Sequence, residues 1–359
     1  MEKYFDPSLC GYIVFKDIEW KLINNAAFAL RKTDLARELG VSITYVNKLL
    51  RNLLAKAYIT PVIDYRKIGL ANLVLFLDPN KRYTFPIYTN YVTELREMGG
   101  RSRYKLVKAL VPYDYLEEYI SYFDKYTKDI IIGHELNLFS IVDRDFYFTP
   151  RLDDSGNVYL VPAFNGTKIK REWLDPPTRP TVFNVPDPID LAIISMRKTK
   201  DPFMRATTAV KLAMKNSYIL SSYLENVKHL NQHVAYHFKE HFPRYWLGNT
   251  ALIAYNVDST PPIHIHLKGE DHYVVARALS RFPFISNSIV GENSSIVMGY
   301  LVASHFKNIV SLLYRFEVDW KIYFTWGYSW QGYPKFYEYV EKVRGGWRWT
   351  WREEITVTS

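Results

Sequence analysis

Nine histidines are the residues of this chain whose spacing points most directly to chemistry. Four stand at His229, His233, His237 and His241, an interval that places side chains on successive turns of a helix, and His264 and His266 fall on one face of a strand. Imidazoles at helical i, i+4 spacing chelate zinc or copper, and a strand pair could complete a tetrahedral set, making His233, His237, His264 and His266 the metal candidates. Each four-residue step rotates by about 40° on a helix, so the outer helical histidines do not share one ion. Spacing alone does not separate ligands from ordinary surface or core histidines, and no metal or cofactor is expected.

Other enzymatic chemistry finds little footing. There is no phosphate-cradling glycine-rich loop, no nucleophile-elbow serine, and no Cys/His pair, because the single cysteine, Cys10, lies near the N-terminus. The same lone cysteine excludes an internal disulfide framework and a cysteine-rich zinc site. Asp153 and Asp154 are paired carboxylates, but Asp153-Asp154-Ser155-Gly156 has the composition of a hairpin turn between strands at 146–148 and 158–161. No catalytic residue is assigned.

Charge is more informative than nucleophiles. Residues 16–67 hold ten Lys/Arg against five Asp/Glu, and residues 189–248 hold nine against four, so each segment is +5 in a chain whose total is +9. Cationic charge confined to two segments suits phosphate neutralisation. In the first, Ile18, Leu22 and Ile23 mark an opening helix, and residues 33–39 form a short second helix that stops at Gly40. Ser42 then suits an N-cap, and Val46, Leu49, Leu50 and Leu53 recur at i, i+3, i+4 and i+7 to bury one face of a third helix. Its other face carries Thr44, Tyr45, Asn47, Lys48 and Arg51, side chains that reach base edges or phosphates from a major groove. An extended wing follows at 57–64.

These residues, Thr33 through Ser42, the basic helix, Tyr58 through Asp64 and Lys67-Ile68-Gly69-Leu70, resemble the winged helix-turn-helix of archaeal Lrp/AsnC-type transcription regulators. The resemblance implies a following ferredoxin-like domain that dimerises and binds an effector. The next segment fits that order: a strand at 73–77, a helix at 87–98, a hairpin at 103–111, a helix at 115–126 and a strand at 130–141. The order then recurs. Residues 188–194 are similar to the family's opening helix and 231–241 to its reading helix, with 200–228 longer than the pattern. A wing at 250–257, a strand at 263–267, a helix at 273–281, a hairpin at 285–290 and 295–303, a helix at 306–316 and a strand at 320–326 complete the second copy.

The fold class expected is therefore α+β, with two winged helix-turn-helix domains, each followed by a ferredoxin-like βαββαβ domain. The boundaries are 1–68 and 69–150 for the first copy, 151–188 for a hairpin and Pro-rich linker, 189–260 and 261–327 for the second copy, and 328–359 for an aromatic tail that packs on a sheet or a partner. The function expected is a sequence-specific double-stranded DNA-binding transcription regulator whose two non-identical reading helices meet an asymmetric or pseudo-palindromic operator. Its DNA contacts would be Ser42, Thr44, Tyr45, Asn47, Lys48, Arg51, Lys56, Arg66 and Lys67 from the first copy, and Gln232, His233, Tyr236, Lys239 and Arg244 from the second. The resemblance also implies a small-molecule effector such as an amino acid, with Asp78-Pro79-Asn80 and Gly291-Glu292-Asn293 as polar loops that could line its cleft. It leaves an internal pseudo-dimer of the ferredoxin-like domains and a homodimer both open.

Two alternatives differ in class. Sirohaem decarboxylases are similar in architecture, but their histidine closely followed by aromatic and arginine residues is not recognisable in Ile132 through Leu138, where His134 has no nearby arginine. A non-specific architectural protein would share the cationic helices without base preference. No apolar run approaches the roughly 20 residues of a membrane span, which leads to the expectation of a soluble cytoplasmic, nucleoid-associated protein. Just two glutamines, scarce cysteine and abundant Lys, Arg and Tyr lean towards a thermophile.

Overall fold

The structure, a computed structural model, describes residues 14–138, 148–152, 154–162, 169–178, 186–254, 260–340, 346–348 and 355–356. In chain order it opens with β1 (Val14–Lys16) and three helices, α1 (Asp17–Ala26), α2 (Lys32–Leu39) and α3 (Ile43–Leu53). Then come β2 (Ala57–Ile63), β3 (Leu70–Leu77), β4 (Thr84–Phe85), β5 (Thr89–Glu97), β6 (Arg103–Pro112), α4 (Leu116–Phe123), β7 (Thr127–Gly133) and β8 (Glu135–Leu138). A hairpin of β9 (Phe148–Leu152) and β10 (Asn157–Pro162) pairs with β1. The second half comprises α5 (Pro188–Thr199), α6 (Ala206–Lys215), α7 (Tyr218–Leu224), α8 (Leu230–Tyr236), α9 (Phe242–Tyr245) and β11 (Trp246–Ile253). It continues with β12 (Pro262–Lys268), α10 (His272–Leu279), β13 (Ile285–Val290), β14 (Ser294–Tyr300), α11 (Ala303–Leu313), β15 (Asp319–Gln331) and β16 (Ile355–Thr356).

The expected fold, two winged helix-turn-helix domains each followed by its own ferredoxin-like domain, is overturned by the sheet. Among the described residues, nine strands form one antiparallel sheet in the order β7-β3-β6-β5-β15-β12-β14-β13-β8. The blocks expected as separate domains are fused edge to edge through β5 and β15, where Tyr323 faces Glu97 and Gln331 faces Tyr91. The segment expected as a helix at 87–98 is the strand that makes this fusion. Its apolar spacing fits either element, but Thr89, Val92 and Thr93 are β-branched, and β6 and β15 supply backbone partners on both sides. The two expected wings are not free either: β2 and β11 pair with each other, Thr60 opposite Thr250.

The sheet also closes. β7 hydrogen-bonds to β3 at one end of the order and β8 to β13 at the other, yet only His134 separates β7 from β8. The His134 N–H donates to the Val290 carbonyl at 2.8 Å, so one continuous segment bridges both edges and leaves a barrel. Contacts across the interior agree: Phe76 of β3 stacks on His266 of β12 at 4.8 Å, and Lys108 of β6 reaches Asn287 of β13 and Met298 of β14. Closure removes the unpaired strand edges that an open sheet of this size would expose.

Alternation along each strand explains how the sequence builds a wall buried on both sides. In β3, Leu73, Leu75 and Leu77 join the cluster outside the barrel that includes Tyr119 and Phe123 of α4, whereas Val74 and Phe76 point inward. In β12, Ile263, Ile265 and Leu267 pack with α10 and α11 while His264 and His266 fall on the opposite, interior face. The inner core is Val74, Phe76, Leu95, Leu106, Ile131, Ile289, Ile296, Met298 and Tyr323.

Gly133 sits where the closing segment is tightest. A Cβ there would lie 2.5 Å from Ile289 Cγ2 and 2.8 Å from the Asn72 carbonyl oxygen, and the backbone atom cannot step aside. Gly133→Ala should therefore destabilise the fold by about 1–3 kcal/mol, the usual cost of overpacking. Urea unfolding would show it as a lower midpoint, and an unchanged midpoint would argue that the closure is loose.

The aromatic tail covers the first half of the barrel. The Trp347 indole N–H donates to the Ile68 carbonyl, and the Tyr88 and Tyr115 hydroxyls donate to the carbonyls of Arg348 and Trp347. Trp349 and Trp351 lie outside the described residues, as does Asp153 of the expected turn. No helix among the described residues is long and apolar enough to cross a membrane.

Candidate functional site

The helical unit α1–α3 presents the clearest outward chemistry. Gly40 ends α2 in the left-handed conformation at φ +64°, and Ser42 starts α3, its Oγ accepting from the Tyr45 N–H at 3.2 Å. Val46, Leu49 and Leu53 bury one face of α3 against the core that contains Trp20, Leu22 and Leu35. The opposite face leaves Thr44, Tyr45, Lys48 and Arg51 exposed, with Asn47 half-buried beside them. No carboxylate among the described residues lies within ion-pair distance of Lys48 or Arg51.

Other expected contacts are already engaged with protein. Lys56 is held by the buried Glu19 carboxylate at 2.6 Å. Arg66 pairs with Asp64 at 2.9 Å and donates to the His134 carbonyl, so its guanidinium clamps the turn after β2 to the barrel. Lys67 is exposed and its ammonium donates to the Arg244 carbonyl at 3.3 Å.

The second half departs further from expectation. Residues 231–241 are α-helical only to Tyr236, after which His237–His241 form a single π-helical turn. Val234, His237 and Phe238 are buried, whereas Gln232, His233, Tyr236, Lys239 and Arg244 are exposed. The helix that follows a serine-capped turn, as α3 follows Ser42, is instead α7: the Ser217 Oγ accepts from the Leu220 N–H at 3.2 Å. The segment 200–228 thus holds α6, a tight turn and α7. The signal missed was Ser217 itself, standing three residues before the buried Leu220 as Ser42 stands four before Val46. α7 exposes Tyr218 and Ile219 but carries no Lys or Arg.

The histidine candidates do not converge. His264 and His266 line the barrel interior and His233 is exposed on α8, while His237 and His241 gather on Asp190 of α5. Asp190, His237 and His241 bring potential ligand atoms within 4.8 Å of one another. Their hydrogen bonds give a simpler account. His237 Nδ1 is 2.9 Å from Asp190 and Nε2 is 3.2 Å from Asp187, and only a doubly protonated imidazolium donates from both nitrogens. Burial pulls the His237 pKa down, but the Asp190 hydrogen bond and the charges of Asp187 and Asp190 together raise it above the usual histidine range. Asp187 also caps α5, accepting from the Ile189 and Asp190 N–H groups. The cluster latches α5 to the turn at 237–241.

His134, the residue weighed for decarboxylase chemistry, is buried at the β7–β8 junction. The sequence matches no protein family, no curated protein and no solved structure.

Proposed function

We propose that this protein is a regulator that binds double-stranded DNA through the exposed face of α3. The observation that carries the reading is the combination of Lys48 and Arg51 without carboxylate partners among the described residues, beside exposed Thr44 and Tyr45, on a helix whose other face is fixed in a core. In a major groove, Lys48 and Arg51 would neutralise phosphates, and Asn47 would read a base edge. The resemblance of residues 33–70 to archaeal Lrp/AsnC-type regulators supports the same reading.

One reading helix per chain has better support than two. Neither α7 nor α8 carries Lys or Arg, and the expected contacts in 231–245, Gln232, His233, Tyr236, Lys239 and Arg244, surround a segment whose geometry serves the Asp190 latch. A single chain would then address one half-site, and two half-sites would require two chains. Fluorescence anisotropy with a labelled duplex, challenged by unrelated duplex at fixed salt, tests the reading. A specific regulator resists the competitor, an architectural protein is displaced in proportion to it, and absence of saturable binding contradicts DNA binding altogether.

A further inference from the structure

One mouth of the barrel opens into a cavity of about 800 Å³ roofed by the β2–β11 ribbon and the end of α5. Enclosed pockets of roughly 300–1,000 Å³ are the size that small molecules occupy, and barrel mouths are a recurrent place for them. Two lysines face into this one, Lys108 from β6 and Lys198 from the last turn of α5. No aspartate or glutamate is among the described residues that line it.

Apart from each other, the lysines have only neutral company. Lys198 donates to the Pro61 carbonyl at 3.0 Å, and Lys108 reaches the Asn287 amide oxygen at 3.4 Å and the Met298 sulfur at 3.3 Å. Burial pushes both ammonium groups down to about 8, and for Lys108 the charge of Lys198 adds to the effect. Two mutually repelling cations in a desolvated site cost stability unless an anion joins them. Further polar capacity is unspent at the same place: the Asn90 side-chain oxygen and His264 Nδ1 are buried without a hydrogen-bond partner. His264 is held neutral, burial and Lys108 pushing it down to about 3, so it can accept or donate one hydrogen bond without adding charge. Tyr91, stacked on His264 at 6.2 Å, supplies a flat apolar wall.

We infer that this cavity binds a small organic anion, its carboxylate or phosphate group held between Lys108 and Lys198 and its body laid against Tyr91 and Met298. His264 and Asn90 would hydrogen-bond polar groups of that body. The loops Asp78-Pro79-Asn80 and Gly291-Glu292-Asn293, which the sequence offered as cleft linings, are not part of it. The inference is independent of DNA binding, and its test contains no DNA.

The experiment compares thermal unfolding of the full chain and of Lys108→Met and Lys198→Met, each alone and with inorganic phosphate, succinate or benzoate at millimolar concentration. Wild type should melt higher with at least one of these anions, and each Met variant should lose that rise. Phosphate as the effective probe would assign a phosphorylated ligand, and succinate or benzoate a carboxylate. Both variants should also melt higher than wild type without anion, because a desolvated charge has been replaced by an apolar chain of similar length. A lysine with a purely structural role would give the opposite sign. The inference is overturned if no anion raises the wild-type melting temperature, or if the rise persists in both variants.

Discussion

Replacing Lys48 and Arg51 together by alanine is expected to weaken binding to every duplex by roughly 60-fold at 0.1 M salt. Affinity scales with salt to about the −0.9 power for each phosphate neutralised, so one contact is worth about eightfold at that concentration relative to 1 M. Both side chains are exposed on α3, and neither belongs to the buried face formed by Val46, Leu49 and Leu53, so the fold should be unaffected. Anisotropy titrations across a salt series should show the slope of log affinity against log salt becoming shallower by about two. Asn47→Ala should instead leave the slope alone and flatten the preference among sequences. An unchanged slope in the double variant would place the phosphate contacts on another surface.

The largest effect on stability is expected from Asp190→Ala. Asp190 is 2% exposed and accepts from both His237 and His241, so its removal strands an imidazolium against Asp187 in a buried site. Breaking a buried ion pair from one side costs about 3–5 kcal/mol. The pH dependence has a definite sign. The folded-state pKa of His237 lies above its unfolded value near 6.5, so its contribution is complete below about pH 6.5 and is lost as pH rises through the folded value. Urea unfolding of wild type should show this loss above pH 6.5, and Asp190→Ala should be weaker throughout and show a smaller loss, because Asp187 alone still favours the imidazolium. Equal pH profiles in the two proteins would mean that the latch carries no charge.

The contrast between the two halves shows what the sequence could and could not disclose. The cap at Ser42, the left-handed stop at Gly40 and the one-sided burial of α3 follow from local rules, and β3, β12 and β15 fall where strands were expected, whereas β5 falls where a helix was expected and the single strand β6 where a hairpin was. The barrel was not legible. Its closure depends on β8 leaving β7 after one residue to join β13, and on β5 finding β15, more than 200 residues away along the chain. Neither pairing leaves a local mark: residues 87–98 have apolar spacing that suits a helix, and tertiary hydrogen bonding decides against it. The histidines misled for a related reason. Regular four-residue spacing suggested a ligand set, but a π-helical turn and a buried aspartate from α5 use His237 and His241 differently. The cavity lysines were invisible because Lys108 and Lys198 are 90 residues apart and meet only once the ribbon roofs the barrel mouth.

Site-specific photocrosslinking tests the central claim most directly. A benzophenone side chain placed at Tyr45 on α3, and separately at Tyr218 on α7, compares two exposed tyrosines, one beside Lys48 and the other on a helix without cations. Irradiation with duplex DNA should yield an adduct from position 45 and none from position 218. An adduct from position 218 alone, or from neither, would show that α3 is not the surface that meets DNA.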